Sequence, residues 1–496
     1  MLFNSLQFLV FFVVVTLAYY SLPWRGRWVL LLLASCYFYI VFVPAYIVIL
    51  FATIVIDYYA GIWIAKTQGR QRKWLLIISL ISNIGILAFF KYLGFFTGNI
   101  VGLFNEIGLT QAADSVNAYS LRVLGKVLIL FGQQPVPSFN VVSTILPVGL
   151  SFHTFQAMSY TIEVYRGNQK VERHFGIYAL YVMFYPQLVA GPIERPQNVL
   201  WQYHTYFKYD FENIKAGLMQ MAWGFFKKVV IADRLSLVVD AAYNHVPQQN
   251  GSTLLVATLF FTFQIYCDFS GYSDIAIGAA RVMGFTLMEN FRTPYAARSI
   301  SEFWRRWHIS LSTWFRDYLY IPLGGNRVGL SRQYFNQFFV FLMSGLWHGA
   351  KWTFVIWGAL HGLYLIMARW RDKWMETQGL KLPEEKPWYQ TLQVVLTFVL
   401  VMLTWVFFRA NATDDAFQIL GKIFTLSWNE PVYSPFNGAE MAFSVGLIAL
   451  MLLKEKFLFI IPTRNTLAFA GVFLVLSVLC YVFGIFTANQ FIYFQF

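Results

Sequence analysis

His348 stands in Phe341-Leu-Met-Ser-Gly-Leu-Trp-His-Gly-Ala350, inside an apolar run. Ionisable side chains at membrane depth are costly and are functional candidates by default. A buried imidazole disfavours its charged form and still takes a proton in a transition state, which is the chemistry of a general base. The alternative is a core histidine satisfied by a helix carbonyl. Gly345 and Gly349 leave room beside it for a neighbouring helix or a ligand. His308 is the second candidate, in Ser301-Glu-Phe-Trp-Arg-Arg-Trp-His-Ile-Ser-Leu-Ser-Thr-Trp-Phe-Arg-Asp317. Read as one helix, this segment puts Trp304, Trp307, His308 and Leu311 on one face and leaves Glu302, Arg305 and Arg306 for headgroups or water. That is a re-entrant or interfacial pattern, in which the histidine either does chemistry or is incidental.

His361 follows in Trp357-Gly-Ala-Leu-His-Gly362. The three histidines form no i, i+4 pair and have no adjacent carboxylate motif, so no metal site is expected. Ser270 and Ser273, with Tyr272 between them, lie in Asp268-Phe-Ser-Gly-Tyr-Ser-Asp274, which lacks the nucleophile-elbow pattern of a catalytic serine. Asp268 and Asp274 are intramembrane acids that either pair with arginines of 281–316 or line a polar cavity. No phosphate loop or dinucleotide fingerprint occurs, so ATP and NAD chemistry are disfavoured and no bound cofactor is expected.

These groups must be positioned by membrane helices. Of 496 residues, 58% are hydrophobic and 12% charged, against about 25% charged in a soluble domain. Aromatics reach 20%, which suits anchoring at headgroup level. The fold class is an all-α polytopic membrane protein, read as a single integral-membrane domain over 1–496. The net charge of +13 comes from bases at the ends of apolar runs; it points to membrane orientation and not to nucleic acid. Cys36, Cys267 and Cys480 are too scattered for a disulfide framework.

Leu6 to Pro23 reads as a retained span, without the flanks of a signal peptide. Further spans are expected near 28–43, 45–65, 74–95, 143–164, 174–191, 213–232, 253–283, 336–347, 351–369, 388–408, 441–453 and 465–489. With pieces too short to cross alone, this amounts to roughly eleven transmembrane helices plus re-entrant or interfacial ones. The more polar stretch from Thr97 to Asn140 is placed at the outer interface. Lys66, Arg70, Arg72 and Lys73, and the charged loop 370–387, mark the cytoplasmic side, with Lys454, Lys456 and Arg464 agreeing. Both termini are then expected outside.

Trp304-Arg-Arg-Trp-His308 and Gly345-Leu-Trp-His-Gly349 resemble the membrane-bound O-acyltransferase family, in its bacterial polysaccharide-modifying branch. Pro147-Val-Gly-Leu-Ser-Phe-His153, Tyr185-Pro-Gln-Leu-Val-Ala-Gly-Pro192, Phe226-Lys-Lys-Val-Val-Ile-Ala-Asp233 and Arg316-Asp-Tyr-Leu-Tyr-Ile-Pro-Leu-Gly-Gly325 extend the likeness, as does the Asp268–Asp274 stretch. The resemblance is densest from 258 to 365. It implies helices around a central tunnel open to both membrane faces, His348 as the catalytic histidine and His308 at the second polar position. Trp304, Arg305, Arg306, Trp307, Trp347, Asp268, Ser270, Tyr272 and His361 are then candidates for lining the tunnel or holding the donor.

The resemblance also implies a cytoplasmic acyl donor, acetyl-CoA or another acyl-thioester carrier such as a cytoplasmic acyl carrier protein. It implies extracytoplasmic acetyl-transfer proteins and a polysaccharide acceptor as partners, within the lipids of a bacterial inner membrane. Thr404-Trp-Val-Phe-Phe-Arg-Ala410 and the ending Phe491-Ile-Tyr-Phe-Gln-Phe496 look more like the alginate-acetylating type than the D-alanylating type. D-alanyl transfer to teichoic acid and O-acetylation of peptidoglycan or another exopolysaccharide are the alternatives within the family. A transporter or flippase, or a scaffold subunit with structural histidines, fits the composition equally well.

Overall fold

A chain crossing hydrocarbon must satisfy its backbone N–H and C=O groups internally, and the α-helix does so within one segment. The computed structural model is accordingly helical, with no strand among the described residues. It describes residues 1–41, 44, 46–130, 149–189, 191–425, 430–457, 465–486 and 491–492. Some sequence readings lie outside the described residues: the start of the 143–164 span, the tail of the Thr97–Asn140 stretch, Pro147, Val148, Ala190, Arg464, and the ends of the chain's last span and last motif.

The chain forms two compact units. The first comprises Met1–Phe211 and Ala279–Leu287. Its helices are α1 (Leu6–Ser21), α2 (Trp24–Ile40), α3 (Tyr46–Lys66), α4 (Gly69–Glu106), α5 (Thr110–Leu130), α6 (Leu150–Arg166), α7 (Phe175–Met183) and α8 (Pro196–Tyr203). Two expectations change here. The span expected at 74–95 is part of the 38-residue α4, which continues through a π-helical turn at Ala88–Tyr92 into the polar stretch. The span expected at 174–191 is the nine-residue α7, too short to cross at 1.5 Å per residue. Arg72 on α4 donates to the last carbonyls of α6, Val164 at 3.2 Å and Tyr165 at 2.7 Å, adding donors at a helix end whose carbonyls lack the next turn.

The second unit comprises Glu212–Gly278 and Met288–Ile492. Here α9 (Phe211–Phe225) passes through a π segment, Phe226–Ala232, into α10 (Asp233–Tyr243). The long α11 (Gly251–Val282) follows. Then come two short helices, α12 (Ile300–Arg306) and α13 (Ile309–Phe315), the latter ending in a π turn at Arg316–Tyr320. After them come α14 (Leu330–His348), α15 (Trp352–Thr377), α16 (Pro387–Arg409), α17 (Thr413–Phe424), α18 (Gly438–Phe457) and α19 (Thr466–Phe483). By length and composition, α3, α4, α11, α16 and α19 can each cross a membrane.

Glycine sets the pairing of α14 with α15. A Cβ on Gly345 would lie 2.3 Å from the Phe354 carbonyl oxygen, and one on Gly358 would lie 2.3 Å from that of Phe341. The two helices therefore touch backbone to backbone, the use that membrane helices make of small residues. Gly349 is filled by the Phe354 ring in the same way. The space beside His348 is thus taken by a helix and not by a ligand.

Candidate active site

His308 and its neighbours depart from the expected single helix. The backbone breaks at Trp307, which is extended, and at His308, which takes the left-handed conformation with φ 44°. Among the described residues only Thr293 shares a positive φ without being glycine. The break persists because Asn290 and its neighbours hold it on both sides. The Asn290 carbonyl accepts from Ile309 N–H at 2.9 Å, and Arg292 N–H donates to the Arg306 carbonyl at 2.9 Å. Backbone conformations of this kind cost about 1–3 kcal/mol each and cluster at functional sites.

Asn290 also holds the imidazole. Its Oδ1 accepts from Ser310 Oγ at 2.9 Å and lies 3.2 Å from His308 Nδ1, while its Nδ2 donates to Ser273 Oγ at 3.2 Å. The Ser310 N–H, which can only donate, also bonds to Oδ1 at 3.3 Å and fixes which end of the amide faces the ring. An amide oxygen only accepts, so the Nδ1 facing it carries the hydrogen and Nε2 holds the lone pair. Asn290 was missed in the sequence because an asparagine between a glutamate and a phenylalanine gives no signal. Only the fold brings it to His308.

His348 is buried at the last residue of α14. The two histidines meet across one indole. The His308 ring is 6.3 Å from Trp347, and His348 is 4.9 Å from the same ring, between centroids. His348 also stands edge-on to Trp357 at 5.0 Å and to Phe408 at 5.3 Å. Trp357 in turn contacts His361 at 5.0 Å, and His361 contacts Trp304 at the same distance. Three histidines thus share one aromatic lattice, but with tryptophans between them. No group of metal-ligating side chains occurs among the described residues.

His361 has both nitrogens occupied. Trp304 Nε1–H donates to Nδ1 at 3.3 Å, so Nε2 carries the hydrogen and donates to Thr404 Oγ1 at 3.1 Å. Thr404 passes its own hydrogen to the Val401 carbonyl at 2.7 Å. This is a satisfied core histidine that locks α12, α15 and α16 together. Trp307 is likewise packing, stacked on Phe303 and tilted against Trp405 at 5.1 Å.

A cavity of about 440 Å³ lies beside the lattice. Gln337, Val340, Phe341 and Ser344 of α14 form one wall, Trp304 and Arg305 another, and Arg316 and Arg369 also line it. Ser344 and His348 are one helical turn apart on the same face, so the α14 wall leads toward His348. Arg305 therefore belongs to the cavity. Arg306 does not: it pairs with Glu302 and donates to Thr293 Oγ1 at 3.0 Å.

Asp268, Ser270 and Tyr272 occupy another part of the same unit and do not line this cavity. Nor do the acids pair with arginines. The π segment Phe226–Ala232 advances two lysines onto α11. Lys228 bridges Asp268 at 2.7 Å and Asp233 at 2.8 Å, and Lys227 pairs with Asp274 at 2.7 Å and donates to Ser270 at 2.8 Å. Asp268 also accepts the Ile492 N–H at 2.8 Å, and Tyr272 packs on Phe491 at 4.6 Å.

The family model for MBOAT, the membrane-bound O-acyltransferase family, matches residues 174–410, which include the histidines, the cavity and the lysine pairs. A probable alginate O-acetylase AlgI of Azotobacter vinelandii is 38% identical over 446 residues, 89% of this chain and 81% of that protein. The chain belongs to the membrane-bound O-acyltransferase family. A peptidoglycan O-acetyltransferase of Helicobacter pylori is 36% identical, covering 79% of this chain and 72% of its own length. A teichoic acid D-alanyltransferase of Streptococcus thermophilus is 29% identical over 56% of this chain and 72% of its own. As a membrane-bound O-acyltransferase the chain is a multi-pass membrane enzyme, and the transporter and scaffold readings fall away.

Proposed function

We propose that this membrane-bound O-acyltransferase takes an acetyl group from a cytoplasmic thioester donor, acetyl-CoA or an acyl carrier, for O-acetylation of an extracytoplasmic polysaccharide such as alginate. The observation that carries the reading is the arginine-lined cavity whose α14 wall leads to His348. Arginine suits phosphate because its planar fork gives two parallel hydrogen bonds, and coenzyme A and the carrier-bound pantetheine both bear phosphate. His348 takes the proton of the attacking hydroxyl as the new C–O bond forms. The C–S bond then breaks, and the leaving thiolate receives that proton. The acetyl group would pass to extracytoplasmic transfer proteins and the acceptor polymer. The alginate relatives carry the choice of acceptor, with peptidoglycan as the alternative carried by the Helicobacter pylori relative.

Arg305→Ala and Arg369→Ala should raise KM for an acetyl-CoA donor roughly tenfold each, about 1.4 kcal/mol, with a smaller effect on kcat. Donor binding to the parent should weaken with salt, and less so to the variants. Unchanged KM in both variants, measured on purified enzyme, would remove the donor from this cavity.

The enzyme is placed in the bacterial inner membrane with 66–73 and 370–387 in the cytoplasm and both termini outside. Arg369 lies in the last third of α15, which runs on to Thr377 within the 370–387 stretch, so this orientation turns the arginine rim toward the cytoplasm. A cysteine at position 70 should react with a membrane-impermeant thiol reagent only after the inner face is exposed. Labelling from outside in intact cells would reverse the orientation.

A further inference from the structure

The first unit encloses a carboxyl for which acyl transfer has no use. Asp57, midway along α3, is fully buried. Its hydrogen-bond partners are neutral. Ser79 Oγ lies 2.6 Å from Oδ1, and Asn83 Nδ2 lies 2.9 Å from Oδ1 and 2.8 Å from Oδ2. Ser79 and Asn83 stand one turn apart on α4, and Asn83 Nδ2 also donates to the Ser79 carbonyl at 3.0 Å. No basic side chain among the described residues pairs with Asp57. A buried carboxylate without a countercharge is strongly disfavoured, and such groups in proteins are paired, metal-bound or neutralised.

The hydrogen count points the same way. Three oxygen contacts run in line. Asp57 Oδ1 meets Ser79 Oγ, Ser79 Oγ meets Thr161 Oγ1 at 3.2 Å, and Thr161 Oγ1 meets the Met158 carbonyl at 3.1 Å. Each contact needs a hydrogen between its oxygens. The two hydroxyls supply two, and the carbonyl supplies none. The line is short by one hydrogen at its carboxyl end. Two further buried oxygens stand by without a hydrogen-bond partner, Asn83 Oδ1 and the Tyr178 hydroxyl.

We propose that Asp57, Ser79, Asn83 and Thr161 form an intramembrane binding site for a monovalent cation, H⁺ or Na⁺. A proton completes the line as it stands. Sodium, which takes hard oxygen ligands, would use the carboxylate, the two hydroxyls and the Asn83 amide oxygen turned inward. Either way the site ties α3, α4 and α6 together, so its occupancy is linked to the stability of this unit. The surrounding titratable groups do not supply the missing charge. Tyr160 on α6 and Tyr178 on α7 interact electrostatically with Asp57. Arg72 on α4 is engaged by the Val164 and Tyr165 carbonyls, and Glu163 on α6 by Arg166, Asn168 and Gln197.

The test is thermal unfolding of the full chain in lipid nanodiscs, with choline as the background cation. The parent should lose a few degrees of unfolding temperature as pH rises without sodium. Asp57→Asn, neutral at every pH, should lose that dependence and keep acyl transfer. If sodium, but not added choline, restores the parent at high pH, the site takes Na⁺; if neither restores it, the site takes H⁺. Should Asp57→Asn fail to fold, Ser79→Ala, which cuts the line in the middle, should fold and show a reduced pH and sodium dependence. A parent and folded variant with the same dependence on pH and on sodium would overturn the site.

Discussion

His348→Ala should insert and fold like the parent and lose about 10²–10⁴-fold in acyl-transfer rate, the range for a positioned general base. The loss should fall on kcat and kcat/KM alike, because the imidazole accepts its proton only as the transition state forms. Folding should survive because the α14–α15 pair is set by Gly345 and Gly358 and not by the ring. His348→Gln should be as slow, since an amide fills the space between Trp347, Trp357 and Phe408 and accepts no proton. Donor turnover followed by thiol release, on protein shown to be monodisperse, is the measurement. Parent-like turnover in the alanine variant would end the assignment.

The next largest effect is expected at His308, on the order of 10²-fold for His308→Ala, the worth of a positioned group whose Nε2 lone pair takes up a proton. Its dependence on Asn290 makes the expectation specific. Asn290→Ala removes the acceptor that holds the hydrogen on Nδ1, and should cost up to about tenfold, the worth of one such hydrogen bond. Asn290→Asp puts a negative charge at the same place. It stabilises the imidazolium, so the acid limb of the pH–rate profile should move to higher pH. A residue that merely packed would leave that limb where it is. An unmoved profile in a folded Asn290→Asp enzyme would make Asn290 a structural support alone.

Much of this was legible in the residues. Apolar runs named the helices, because every span must bury its own backbone groups. The tryptophan- and arginine-rich stretch around His308 and the glycine-flanked His348 marked the candidate site, since such groups are expensive in a membrane. What escaped detection depended on partners distant in the chain. Periodicity makes 300–318 a single helix, yet the Asn290 and Arg292 backbone groups give the chain a better place for its hydrogen bonds at Trp307 and His308. The partners of Asp268 and Asp274 were likewise invisible, because a π turn shifts which face Lys227 and Lys228 present and leaves no mark on composition. Arg305 and Arg306, adjacent and alike in sequence, part company only because Glu302 and Thr293 stand beside one of them.

The contact between Gly345 and Gly358 bears on which acyl groups the enzyme will accept. Side chains between two helices act as a cushion, able to change rotamer when something presses on them. Here there is none, and backbone meets backbone within van der Waals contact. At this crossing the helix pair is therefore a ruler and not a spring. On the proposed reading, an acyl chain held in the arginine-lined cavity gains no room by parting α14 from α15 at this crossing, and a wider chain-length preference is expected from changes at the other lining residues, such as Ile309, Ser312 and Phe315.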